Sequence, residues 1–221
     1  MEHVHDDACC APAQPVAPRQ DQLLTALRLE YMTVGWNVVE GTIGISAALA
    51  AGSVALLGFG IDSGIESAAG LTMIWRLRAE RQGRLAGEQL AALELRAQKQ
   101  ISGSLFVLAA YIAADAAHAL WTQHRPEFSA VGVALTAISL LIMRHLAQAK
   151  RRVAVALGSP AMAADALQTT ACWWLSLATL IGVGLNGALG WWWADPVAAL
   201  AIAALVAKEG REAWHGGHDC C

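Results

Sequence analysis

The chain alternates between long apolar runs and short segments that hold almost all of its charge. The apolar runs cover about 31–50, 54–75, 101–121, 130–142, 160–185 and 195–207. A surface helix of a soluble bundle would show a polar face recurring every three to four residues, and these runs do not. Each approaches the ~20 residues that a helix needs to cross a ~30 Å hydrocarbon layer at ~1.5 Å per residue. The fourth and sixth runs are shorter in their apolar cores, and their polar flanks complete them. The pattern predicts an all-α protein: a six-helix transmembrane bundle. Ala51-Gly52-Ser53 predicts a tight turn between the first two spans. The charged stretch 76–99 predicts a linker, and its second half, GEQLAALELRAQKQ, predicts a helix that continues into span three. Pro160 suits the first turn of span five. Residues 186–193, rich in Gly and Trp, predict a loop.

Composition strengthens this reading. The chain is 56% hydrophobic and 15% charged, with a mean hydropathy of +0.43. An average soluble domain is about 25% charged. The net charge of -3 is small and says little about partners; no nucleic-acid partner is expected. The position of the charge says more. With six spans, every Lys and Arg except Arg125 falls on one side. The positive-inside rule makes that side cytoplasmic, so both termini are expected in the cytoplasm and the protein in the cell (inner or plasma) membrane. Trp191, Trp192 and Trp193 then fall at the outer interface, where amphipathic rings are favoured. Gly60-x-x-x-Gly64 would allow close helix contact.

The division expected is a tail over 1–22, a membrane domain over 23–214 and a second tail over 215–221. The first 20 residues contain no apolar core of a secretion signal, and three prolines (Pro12, Pro15, Pro18) predict disorder there. Of the five cysteines, Cys9, Cys10, Cys220 and Cys221 form adjacent pairs in the tails, a spacing unlike a disulfide framework.

Ionisable residues inside the spans carry the candidate chemistry, because a carboxylate at the bilayer centre costs at least ~2.5 kcal/mol on insertion scales. Span two holds Asp62 and Glu66, four apart and so on one helical face. Two anions there would repel unless protonated or bridged by a cation. A cation site filled alternately by metal and protons fits better than a pair of protonated acids between helices. Span five holds Asp165, Gln168 and Cys172 on one stripe. Its direction is opposite to that of span two, so Cys172 should lie level with Asp62 and Glu66, while Asp165 lies near the inner face. Taken alone, Cys172 reads equally as a small buried hydrophobe, and Asp165 as a cap for span five. Asn37 and Glu40 in span one, and Asp115 and His118 in span three, are pathway candidates or interhelical hydrogen-bonding groups. The tails gather His3, His5, Cys9 and Cys10 at one end and His215, His218, Cys220 and Cys221 at the other. Imidazole and thiolate are ligands for transition metals, so these are possible tail ligands.

These segments resemble those of the cation diffusion facilitators, exporters of divalent metals that usually work by proton antiport. Asp62-Ser63-Gly64-Ile65-Glu66 is similar to that family's acidic pair in helix two. The segment from Ala164 to Cys172, ADALQTTAC, is similar to the family's helix-five pattern, with Gln168 and Cys172 standing where His or Asp and Asp are usual. Ala194-Asp195-Pro196 and Glu209-Gly210 are also family-like. The resemblance covers about 28–214 and implies a short member without the family's C-terminal cytoplasmic domain. It implies a metal site of Asp62, Glu66 and Cys172 with Gln168 as a weaker ligand or orienter, and Asp165 counted in the same set. No resident cofactor is implied: the metal is cargo, zinc first, and magnesium or calcium do not suit a thiol. Implied partners are metal ions, the lipid bilayer and a second copy of the chain. An enzyme is not expected, since no nucleophile–base motif is present. A membrane metal sensor or chaperone-like protein, acting through its tails without transport, is the alternative.

Overall fold

The computed structural model describes residues 18–51, 54–84, 87–123 and 130–215. It contains six helices: α1 (Arg19–Ala51), α2 (Val54–Arg81), α3 (Glu88–Thr122), α4 (Ala130–Leu157), α5 (Pro160–Leu189) and α6 (Ala194–Trp214). No strand occurs among the described residues. One helix matches each apolar run, so the all-α bundle is as expected. Most of the helices outrun their apolar cores at the end where the basic residues collect. The 35 residues of α3 give a rod of about 52 Å, well beyond a ~30 Å hydrocarbon layer.

Boundaries shift for local reasons. The helix α1 starts at Arg19, inside the segment assigned to the tail. The carbonyl of Pro18 accepts the amides of Asp21 and Gln22 at 2.8 and 3.2 Å, and Asp21 supplies a favourable anion in the first turn. Gln22, Leu23 and Leu27 are buried, so this turn is anchored by packing as well. The loop expected over 186–193 is shorter, because α5 continues to Leu189. Gly190 then takes φ 70°, the left-handed conformation that ends helices cheaply only at glycine. The rings of Trp191 and Trp193 stack beside it, 5.7 Å apart.

The helices pack chiefly in pairs, α1 with α2, α3 with α6, and α4 with α5. Glycine lets α1 and α2 approach. A Cβ on Gly60 would lie 2.5 Å from Ile45, and one on Gly70 2.8 Å from Val34. Gly64, the second member of the expected pair, has open space and plays no such part. One apolar cluster, with Leu23, Met73, Leu77, Ile101 and Met162, fills the basic end. A second, with Leu105, Leu108, Ile112 and Val206, lies farther along α3, α5 and α6.

The distribution of polarity is inverted relative to a water-soluble bundle. The buried face of α1 carries Glu30, Thr33, Asn37 and Glu40, while its outer face exposes Val38 and Val39. On α4, Ser139 and Lys150 are enclosed and Leu141 is 66% exposed. By length and composition alone, α3 is the one helix among the described residues that is apolar enough to cross a membrane. The apolar exterior of the other helices is the surface a lipid environment would solvate.

Candidate metal site

The local sequence places acids on α2 and α5 at helical spacing, and packing then decides which of them meet. Asp62 and Cys172 meet: the thiol lies 3.7 Å from Asp62 Oδ1 across the interface of the two helices. Glu66, one turn along α2, is 2% exposed and sits against Thr169 and Cys172 of α5. Asp62 and Cys172 thus lie at one level, with Glu66 one turn along α2. Glu40 of α1 joins from the side. The Ser63 hydroxyl donates to Glu40 Oε2 at 3.5 Å, and Glu40 lies within electrostatic reach of both Asp62 and Glu66. Asn37, one turn away, is buried with neither side-chain polar atom hydrogen-bonded. Enclosed atoms of that kind normally find a protein, water or ion partner. Glu66 Oε1 and Glu40 Oε1 share this condition. Glu40, Asp62 and Glu66 thus share one electrostatic neighbourhood, with Asn37 one turn from Glu40 on α1.

Other expected site residues go elsewhere. Gln168 is fully buried, but its Oε1 accepts a hydrogen bond from the Ser104 hydroxyl of α3 at 2.8 Å. The one oxygen it could offer a metal is turned to α3, which fits the orienting role better than the ligating one. Asp165 stands two turns from Cys172, about 10 Å along the helix axis. It belongs to a separate group, with Lys150 Nζ 2.6 Å from its Oδ2 and 3.1 Å from Glu30 Oε2. Nor does it cap α5. Ser159 does so, its Oγ accepting the Met162 amide at 3.1 Å, while Glu94 accepts from the Ala161 amide at 3.1 Å and the Ser159 hydroxyl at 2.6 Å. Asp115 and His118 lie on the exposed face of α3 and do not join the interior group. Of the tail ligands, His215 ends α6 with its Nδ1 2.8 Å from the Arg211 carbonyl. His3, His5, Cys9, Cys10, His218, Cys220 and Cys221 lie outside the described residues. Among the described residues no three His, Cys, Asp or Glu side chains already stand as a closed metal-holding group. Asp62 and Cys172 are in contact, and Glu66 is the third donor nearest to them.

Sequence reasoning passed over Lys150, Glu30 and a second charged network. Lys150 lies in the basic extension of α4, beyond the span that ends near Ile142. Burial alone would lower its pKa, but the carboxylates of Asp165, Glu30 and Glu66 together hold it above its ordinary value, so the ammonium stays charged. At the same end Arg76 pairs with Glu80 at 2.8 Å and with Glu94, and Arg19 reaches Glu80 at 2.6 Å. This network joins the ends of α1, α2, α3 and α5. Arg76 and Glu80 are four apart on α2, a readable spacing. Glu94 and Arg19 come from distant segments and leave no local signal.

A profile described as the cation efflux transmembrane domain matches residues 33–214, well over half of the chain. The chain belongs to the cation efflux, or cation diffusion facilitator, family. All six helices fall within or overlap the matched region, so this cation efflux domain is a membrane protein whose helices must pack in lipid. The chain is also similar to a protein named cation-efflux pump FieF from Shewanella oneidensis, at 28% identity over 176 residues. The match covers 76% of this chain and 57% of that relative, so the chain spans little more than half the length of the curated protein it matches. The family is one of cation transporters and not of enzymes.

Proposed function

We propose that this cation efflux protein exports a divalent transition-metal ion, with Asp62, Glu66 and Cys172 as its ligands. The observation that carries the reading is the Asp62–Cys172 contact across α2 and α5, with Glu66 enclosed one turn away. Two carboxylates and a thiolate suit zinc, and the thiolate extends the range to softer ions such as cadmium. Glu40 would shape the charge of the site from α1, and Gln168 would orient it through Ser104. The basic end would face the cytoplasm, so that the ion loads from there. Alternating access would come from rocking of helices around a fixed midplane site. Two copies of the chain would associate through their membrane helices.

The ligands must lose protons to bind metal, so protons compete for the same site. That competition supports proton-coupled export. It predicts that metal affinity rises with pH and falls on acidification. Titration of the purified protein with zinc at two pH values checks the sign. An affinity independent of pH would contradict carboxylate and thiolate ligation. Cadmium gives a direct probe of the thiol. Cadmium–thiolate charge-transfer absorption should develop with the wild type and be lost in Cys172→Ser, provided the tail cysteines are replaced in both. Equal absorption in the two proteins would remove Cys172 from the site.

A further inference from the structure

Lys150 is the largest fully enclosed side chain among the described residues, at 0% exposure, and its two carboxylate partners Glu30 and Asp165 are at 0% and 1%. Taking an ammonium and two carboxylates out of water costs several kcal/mol per ion, and apolar side chains of similar volume often serve stability as well or better. The arrangement is also unbalanced. Glu30 Oε1 and Asp165 Oδ1 are enclosed without a hydrogen-bond partner. Glu66, also enclosed, lies within electrostatic reach of Lys150 and Asp165. One ammonium therefore faces three enclosed carboxyl groups, on α1, α2 and α5. The group lies on the basic-end side of the Asp62–Cys172 contact, and Glu66 lies within electrostatic reach of both.

We propose that Glu30 and Asp165 form a second divalent-cation position on the loading side of the transport site, and that Lys150 is its tethered occupant. This rests on the reading of Asp62, Glu66 and Cys172 as the transport site. The ammonium satisfies the two acids while no ion is present and bars the way to Glu66. An arriving divalent ion offers more charge than the ammonium and can engage the two oxygens that Lys150 leaves unpaired. Lys150 then swings aside, the ion is passed to Glu66, and the ammonium returns behind it. Lys150 is thus a gating residue that sets the apparent affinity for cytoplasmic metal.

The test uses the full chain in lipid nanodiscs and proteoliposomes, with zinc as the probe. An occupant that holds the site most of the time lowers apparent affinity by the fraction of time it is absent, so its removal should lower the KM for zinc by ~tenfold or more. Lys150→Met should show that fall in KM together with one additional zinc ion bound per chain. Adding Glu30→Gln to Lys150→Met should abolish the additional ion. Lys150→Arg should do the opposite, because a guanidinium holds carboxylates bidentately and yields less readily. Its KM should rise with no change in the number of ions bound. An ion pair with a purely structural role would not move KM in opposite directions in the two variants. Unchanged KM and stoichiometry in Lys150→Met overturn the proposal. If that variant does not fold, Lys150→Arg decides alone, and an unchanged KM overturns it. Wild-type zinc flux that survives Asp62→Ala would instead refute the transport-site reading on which the gate depends. Flux abolished by Asp62→Ala but with KM indifferent to residue 150 refutes only the gate.

Discussion

Single residues separate chemistry from architecture in this bundle. Cys172 could have been an ordinary small core residue, and it does pack in the second apolar cluster. Its contact with Asp62 is what supports the proposed role as a ligand as well. Gln168 illustrates the reverse: its spacing matched a ligand position, but its oxygen is committed to Ser104. Nothing near Gln168 in the sequence announces that partner, because it comes from another helix. Lys150, and Glu30 taken by itself, were hard to read for a similar reason. Both lie in flanks already rich in charge, where they read as solvated side chains until packing encloses them. Arg76 belongs with them. It is 3% exposed and bridges Glu80 and Glu94, so Arg76→Ala would leave Glu80 to the exposed Arg19 and take from Glu94 its ion pair. Breaking one side of a buried pair costs about 3–5 kcal/mol. Glu94 is partly open to solvent, which should bring the loss to ~3 kcal/mol or below. Thermal unfolding in detergent would read it as a lowered Tm, and an unchanged Tm would mean that the network contributes no stability.

At the scale of helices, the sequence was most legible where hydropathy alone decides. All six helices are readable, because each follows a long run poor in charge. Helix ends were less legible, because the extensions of α1 and α4 at the basic end are polar in composition and owe their order to tertiary contacts. One further pattern was readable and would have located Glu30. Glu30, Thr33, Asn37 and Glu40 recur at three- and four-residue steps, one stripe of α1, and all four are buried. The mid-span members signal an interior polar face, and the same stripe extends to the flank. The site depends on the closeness of α1 and α2, which Gly60 and Gly70 permit. A side chain at Gly60 meets Ile45 at once. Gly60→Val should therefore push α1 from α2 and cost about 1–3 kcal/mol by overpacking. It should also weaken zinc binding, since Glu40 would move with α1. Thermal unfolding and zinc titration together check this; a variant as stable and as tight-binding as the wild type would show that the contact is slack.

For the whole molecule, the telling property is its inverted polarity. Carboxylates, amides and hydroxyls line the interior, while Leu, Val and Trp face outward. A soluble protein could not hold this surface in water without associating, and a lipid bilayer solvates it. The inversion also supports the proposed export, because an ion can cross only where polar groups replace its water. The antiparallel course of α2 and α5 brings Asp62 and Cys172 together from segments 110 residues apart. Metal should therefore cross through the group around Asp62. The decisive comparison is zinc uptake into proteoliposomes by the wild type and by Asp62→Ala, at equal protein incorporation. A transport site at Asp62 requires zinc flux by the wild type and its loss, to the level of empty liposomes, in Asp62→Ala. Undiminished flux in Asp62→Ala would contradict it.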